Sequence, residues 1–206
     1  MKRILLTIIV VAAGLATMTP DISAQSSSRS ARSQEKMEAW HRDMAEFRAR
    51  SYHDRQMAAL TDSIASVQAR AALQNQDFVL QISQLTFKNG ATVFVTSNTN
   101  FISVKGNRAV VQISPSNFSS GPNGVGGVTV DGNISGQQIT KGKDGRIIFS
   151  MNVMGIGINA LVEIYMNPGS NQASATIYPN FNSNTVWANG TLVPYESSNV
   201  FEGISL

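Results

Sequence analysis

The distribution of glycine and proline divides this chain at Asp77. Residues 26–76 contain neither residue type, whereas 15 of the 16 glycines follow Asp77. The first segment is rich in Ala, Gln, Met, Glu and Arg, which favour helix. The second alternates short Val, Ile, Phe and Thr runs with Gly and Asn, a pattern typical of strands joined by tight turns. We therefore predict a mainly β protein, an antiparallel sandwich or barrel of about ten strands, preceded by an N-terminal amphipathic helix.

The helical segment, residues 25–76, carries an apolar stripe in two parts. The first part is Met37, Trp40, Met44 and Phe47, and the second is Met57, Leu60, Ile64, Val67 and Ala71. Their spacing of three and four residues places each part on one face of a helix. A continuous helix over 33–76 would be about 66 Å long, longer than the domain that follows. It is therefore expected to break, to pack only its second half on the β domain, or to project towards a partner. Residues 25–32 are predicted to be a disordered leader.

Residues 1–24 have the features of a secretory signal peptide. Two basic residues precede an apolar run, Ile4–Ala16, and cleavage is expected near Ala24. As a helix the run would span about 20 Å, which is short of the ~30 Å core of a bilayer. No later stretch is apolar for long enough to cross a membrane. We therefore predict an exported protein, periplasmic or secreted, with no membrane span in the mature chain.

Composition argues against several classes of function. The chain has no cysteine and two histidines, His41 and His53, twelve residues apart, so neither a thiolate nor a histidine metal site is expected. The net charge is +3, and +2 once two basic residues and one acidic residue leave with the signal, which is too small to indicate nucleic-acid binding. The glycine-rich stretch 121–127 is followed by a strand pattern, whereas a phosphate-binding loop precedes a helix. No cofactor is predicted.

The run Arg146–Pro179 gives the most specific strand prediction, a three-stranded meander. Matching apolar faces places Val153 opposite Ile158 and Ile164 opposite Ala173. A slip of one residue would put asparagine or serine opposite core side chains, so the faces of these strands are well determined.

Acidic residues are the remaining candidates for catalysis. Glu163 lies in the middle of a predicted strand, faces away from the core and is diagonal to Arg146, so a surface ion pair is the simpler interpretation. A glycosidase needs two carboxylates across a cleft. The residues that could form such a pair are Glu163, Glu196, Glu202, Asp131 and Asp144. We assign no catalytic residue, and a carboxylate hydrolase stays open as an alternative.

Five segments of the chain occur together, in this order, in one family. They are Ser-Asn-Thr-Asn-Phe-Ile-Ser-Val at 97–104, Ala-Val-Val-Gln at 109–112, Gly-Pro-Asn-Gly-Val-Gly-Gly-Val-Thr at 121–129, Pro-Asn-Phe at 179–181 and Ser-Asn-Val-Phe-Glu-Gly at 198–203. Together they resemble an exported bacterial family, domain of unknown function 4251, over residues 78–206. The resemblance implies a signal-bearing envelope protein with a helical leader and a β-rich domain. It implies no reaction, ligand or catalytic residue.

These observations favour a non-enzymatic exported β module that binds an envelope component, whether a protein, a glycan or a lipid-like ligand. Two loops rich in glycine and asparagine supply the candidate contact residues, since such loops commonly carry binding function. These residues are Asn98, Asn100, Asn123, Gly124, Gly126 and Gly127.

Two alternatives remain open besides the carboxylate hydrolase. One is a structural or interaction protein of the envelope whose helix docks on another chain. That contact would be made through Met37, Trp40, Met44 and Phe47. The other is a barrel that encloses a lipid-like ligand, which an apolar interior void would support.

Overall fold

The computed structural model describes residues 22–114, 127–156, 159–180 and 185–203, with side chains from residue 31 onward. The secondary structure of this described part is one α-helix, nine strands and a short 3₁₀-helix. The elements are α1 (Ile22–Gln74), β1 (Asp77–Phe87), β2 (Thr92–Phe94), β3 (Phe101–Lys105), β4 (Arg108–Ile113), β5 (Val128–Lys141), β6 (Ile147–Gly155), β7 (Asn159–Met166), β8 (Gln172–Pro179), β9 (Val186–Pro194) and η1 (Tyr195–Ser197). Strand structure therefore begins at Asp77, where the composition changes.

Eight of these strands close into an antiparallel barrel. Strands β3 to β9 pair in chain order, and β1 closes the ring by pairing with both β3 and β9. On the β3 edge of β1, residues 77–81 pair with β3 and residues 84–86 pair with the short additional strand β2. This sheet confirms the mainly β antiparallel prediction and selects the barrel over the sandwich.

The interior of the barrel is packed with apolar side chains. Phe78 and Phe149 meet edge to face, with ring centroids 5.5 Å apart, and Met151, Val162 and Ile164 beside them are completely inaccessible to solvent. A void large enough for a lipid would leave the side chains that line it accessible to solvent. The interior around these residues therefore has no room for the enclosed lipid-like ligand considered above.

The last turns of α1 pack on the barrel. The helix is continuous from Ile22 to Gln74, and Ser66, Ala69, Ala72 and Leu73 are buried against the strands. The second part of the predicted stripe is instead exposed: Met57, Leu60, Ile64 and Val67 are 51–67% exposed, and Ala71 is exposed as well. Packing of only the second half of the helix was one of the three alternatives. The contact is made by a neighbouring face of the helix instead of the stripe, because small alanines allow that face to approach the barrel closely.

Strands β6 to β8 form the predicted meander, but its registers differ from the prediction. Val153 pairs with Ala160 instead of Ile158, and Ile164 pairs with Ala175 instead of Ala173. Each pairing is displaced by two residues, so every side chain keeps its predicted face. Because side chains alternate with a period of two, the apolar pattern does not distinguish registers that differ by two residues.

Candidate functional site

The loop before β3 is joined to the C-terminal segment 198–203, which we call the C-terminal strap. The exposed Asn98 accepts a hydrogen bond through its main-chain carbonyl from the Phe201 amide, at 2.8 Å. Beneath this contact the outer face of the barrel carries a small apolar cluster built on Val79, Phe101 and Val110. The strap therefore covers apolar surface on the outside of β1, β3 and β4.

The side chain of Asn100 stabilises its own loop. Its side chain is fully buried, and its Nδ2 atom donates to the carbonyls of Thr96 and Ser114, each at 3.0 Å. Its Oδ1 atom accepts from the Ser114 amide at 2.7 Å. With both ends of the amide engaged and no exposed surface, Asn100 is not accessible to a ligand.

The second predicted loop is described only at its end. Gly127 lies so close to β4 that a Cβ atom added to it would overlap the main-chain carbonyl oxygen of Ile113. Its lack of a side chain is therefore a packing requirement. Asn123, Gly124 and Gly126 lie outside the described residues.

Gln112 lies at the centre of this region and was not predicted as a functional residue from the sequence. Its buried amide donates to the carbonyls of Thr99 and Phe201 and accepts from the Gly203 amide and the Thr129 hydroxyl, at 2.8–3.0 Å. The sequence feature that could have indicated Gln112 is a single amide side chain in an otherwise apolar run, Ala-Val-Val-Gln-Ile. Four of the five family-like segments, including its own, thus meet at Gln112.

Two of the candidate carboxylates converge on one guanidinium. Asp131 accepts from Arg108 with both oxygens, at 2.6 and 2.7 Å, and Glu202 of the C-terminal strap accepts at 2.8 Å. The hydrogen bonds to Asp131 and the attraction of Glu202 raise the pKa of Arg108. Because Arg108 engages both carboxylates, the arrangement is an ion-pair cluster that fastens the strap.

Glu163 faces outward as predicted, but its partner is different. The Tyr165 hydroxyl donates to Glu163 Oε2 at 2.8 Å, and this hydrogen bond, with partial burial, raises the pKa of Tyr165. Arg146 pairs with Asp144 at 3.4 Å. The predicted ion pair between Glu163 and Arg146 was therefore wrong, because the turn before β6 supplies a nearer carboxylate.

An open groove lies on the outer face of β7, β8 and β9, and we call it the aromatic groove. Its volume is about 450 Å³, and it is lined by Arg146, Tyr165, Asn167, Ser174, Thr176, Trp187 and Asn189. Ser174 of β8 pairs with Asn189 of β9. These side chains are smaller than their neighbours, so the surface is concave at this point. Its floor is formed at Ala175 and Ala188, which belong to the barrel core. The groove is therefore built on sheet, which is more rigid than loops.

Trp187 gives the aromatic groove its exposed apolar surface. Its side chain is 41% exposed, and it lies opposite Thr176 on β8 and Thr86 on β1. Tyr178, which is 40% exposed, is two residues further along β8. Sequence reasoning missed this site because the register of β8 and β9 was needed to bring these residues together.

The N-terminal part of α1 also exposes the residues proposed for partner contact. Met37, Trp40 and Phe47 are 52–62% exposed, and Met44 is half-buried. Within the described residues, no group of three His, Asp or Glu side chains is close enough together to hold a metal ion. The described helix contains no stretch that is long and apolar enough to cross a membrane.

Comparison with known proteins identifies the family. The family model described as domain of unknown function DUF4251 matches residues 62–192. The chain belongs to the DUF4251 family. A crystal structure of a DUF4251 family protein from Bacteroides eggerthii DSM 20697 is 45% identical in sequence, with a TM-score of 0.61, over 69% of this chain and 96% of that chain. No curated protein matches this chain.

The DUF4251 match covers the barrel and the part of α1 that packs on it. It starts in the last turns of α1, which pack on the barrel, and ends within β9. It includes every residue that lines the aromatic groove and stops before the C-terminal strap.

Proposed function

We propose that this DUF4251 protein is an exported, non-enzymatic binding module of the bacterial envelope and that the aromatic groove is its binding surface. The observation that carries the proposal is the exposure of Trp187 beside Tyr165 in a groove of about 450 Å³. That volume is in the usual range of small-molecule sites, about 300–1,000 Å³. The groove combines one exposed aromatic ring with hydroxyl and amide side chains, which is the mixture that binding sites use for affinity and orientation.

The arrangement of the acidic groups favours binding over catalysis. The two carboxylates that converge, Asp131 and Glu202, are both engaged by Arg108. Glu163, beside the aromatic groove, is engaged by Tyr165. A hydrolase would need two carboxylates facing one substrate bond, and neither of these groups offers that pair.

Export of the protein is supported by the amino-terminal sequence. The apolar run Ile4–Ala16 after two basic residues is typical of a secretory signal. Expression of the full chain in a Gram-negative host should give a periplasmic protein whose mass corresponds to a start at Gln25. A cytoplasmic product that keeps residues 1–24 would contradict export.

Binding is tested with envelope fractions. Protein comprising residues 25–206 is mixed with purified sacculi, with lipopolysaccharide, and with vesicles of phosphatidylethanolamine and phosphatidylglycerol, and the bound fraction is measured by sedimentation. We expect one fraction to retain the protein and Trp187→Ala to reduce retention at least tenfold. Met154→Ala, which alters an exposed apolar side chain of β6 outside the aromatic groove, is the matched control. Retention of none of the fractions would overturn the proposal.

A second candidate function is that of an interaction protein that docks through α1. The observation that favours it is the solvent exposure of Met37, Trp40 and Phe47 on one helix. Apolar side chains at this spacing are typical of helices that pair with another helix. The truncation described in the Discussion tests it.

A further inference from the structure

We infer that the ligand of the aromatic groove is a neutral glycan, with one sugar ring bound against Trp187 and neighbouring sugars lying across the strands. The inference rests on the proposed binding function and adds the chemical class of the ligand. It is carried by four features of the described residues: the charge of the groove, its fixed hydrogen-bonding groups, the exposed ring of Trp187, and the row of polar side chains that continues beyond the groove.

Two charged groups, Arg146 in the lining of the groove and Glu163 beside it, have partners within the protein. Arg146 is the one charged residue that lines the described groove, and it pairs with Asp144 at 3.4 Å. Glu163 accepts from the Tyr165 hydroxyl at 2.8 Å. A phosphorylated or polyanionic ligand would need cations free to pair with it. The charge of this surface therefore favours a neutral ligand.

The polar groups of the groove match the hydroxyl groups of a sugar. Asn189 donates through Nδ2 to Gln84 Oε1 at 3.1 Å, which fixes the amide and leaves its Oδ1 atom as an acceptor. Tyr165 is likewise held by Glu163, and its hydroxyl oxygen retains acceptor capacity. The half-buried Ser174 adds a hydroxyl group that both donates and accepts. Groups held in place before binding lose less entropy when a ligand binds.

The exposed ring of Trp187 can pack against the C–H face of a sugar ring. A pyranose ring presents C–H groups on its face and hydroxyl groups around its edge, so it binds an aromatic face flanked by polar side chains. Trp187 lies directly opposite Thr176, and the hydroxyl and amide groups of Ser174 and Asn189 line the same groove. A lipid chain would need a continuous apolar surface, which these polar neighbours interrupt.

The register of the barrel extends this surface beyond the groove. One outward-facing row runs across six strands through Ser150, Glu163, Thr176, Trp187, Thr86 and Thr92. The Thr86 and Thr92 hydroxyls are 3.0 Å apart. Since adjacent strands lie about 4.8 Å apart, the row extends about 24 Å around the curved outside of the barrel. A surface of that length fits an oligosaccharide better than a single sugar.

The test uses tryptophan fluorescence in the full mature chain. The protein has two tryptophans, so Trp40→Phe leaves Trp187 as the single emitter. Cellohexaose, maltoheptaose and the hexamer of N-acetylglucosamine are titrated into this variant, with polygalacturonate as the acidic comparison. We expect at least one neutral oligosaccharide to shift the emission saturably and the acidic polymer to have at least a tenfold weaker effect.

Two variants identify the binding site, and the outcomes distinguish the glycan inference from the proposed binding function. Trp187→Ala and Asn189→Ala, assayed by calorimetry with the same sugar, should each weaken binding at least tenfold, and retained thermal unfolding shows that the barrel is intact. If an envelope fraction binds through Trp187 and none of the neutral oligosaccharides does, the glycan inference is overturned and the binding function stands. If neither the fractions nor the sugars bind, both are overturned.

Discussion

The buried side chain of Gln112 in β4 donates a hydrogen bond to the main-chain carbonyl of Phe201, 89 residues further along the chain, at 2.9 Å. The same side chain accepts from the amide of Gly203 at 2.8 Å. One amide group thus fastens both sides of Glu202 in the C-terminal strap to the barrel. Glu202 itself is held by Arg108 at 2.8 Å.

Gln112→Leu should destabilise the protein by about 1–3 kcal/mol, because it leaves the buried main-chain groups around Gln112 without hydrogen-bond partners. Urea unfolding measures the loss. Gln137→Leu is the matched control, since Gln137 is exposed and makes one long hydrogen bond of 3.5 Å to Asn107. Equal stability of the two variants would show that the hydrogen bonds of Gln112 do not hold the strap.

Gly127→Ala should lower the free energy of unfolding by about 1–3 kcal/mol, because the new methyl group meets the fixed backbone of β4 at Ile113. Gly90→Ala provides the comparison. Gly90 has a positive φ of 82° and open space around it, so its substitution reports the cost of the backbone conformation alone. A Gly127→Ala protein with wild-type stability would contradict the packing role of Gly127.

The hydrogen bond between Tyr165 and Glu163 should make stability depend on pH in the alkaline range. The pKa of Tyr165 is raised above its ordinary value of 10.0 in the folded protein. The folded state therefore holds this proton more tightly, so its contribution to stability is complete below pH 10 and is lost as pH rises through the folded pKa. Urea unfolding at pH 8 and pH 11 should show a larger loss for the wild type than for Tyr165→Phe. Equal losses would show that the hydrogen bond has no such effect.

Removal of residues 25–56 should leave the barrel folded. The buried helical contacts, Ser66, Ala69, Ala72 and Leu73, all follow the deletion, so thermal unfolding should change little. If α1 docks on another chain, the deletion should also abolish self-association or partner capture, measured by sedimentation and by pull-down. Substitution of Met37, Trp40 and Phe47 by Ser in the full chain should have the same effect. Unchanged association would contradict the docking function.

Some features of this fold were accessible from local sequence. The alternation in β6, β7 and β8 correctly predicted which side chains face the core, because a one-residue slip would bury polar groups. The same alternation could not set the register, and Val153 pairs with Ala160 instead of Ile158. The helix shows a related limit. Its large apolar residues define a regular stripe, yet the barrel contacts the face that contains Ala69 and Leu73, because close approach favours small side chains.

The candidate site depended still more on long-range structure. Asn100 was predicted as a contact residue from its loop composition, and the fold encloses it between two carbonyl groups. The aromatic groove, in contrast, has no sequence motif. Tyr165, Thr176 and Trp187 come from three separate strands and form one surface only after β7, β8 and β9 align.

The sequence by itself determined the class of this protein: a change of composition at Asp77, a helix before it and alternating antiparallel strands after it. These features arise from backbone propensity and from periodicity, which act over a few residues. Only the tertiary structure decided that β1 closes the sheet into a barrel, that Gln112 fastens the C-terminal strap and that Trp187 lies in a groove. Each of these depends on pairing between distant segments, and pairings that differ by two residues bury the same faces.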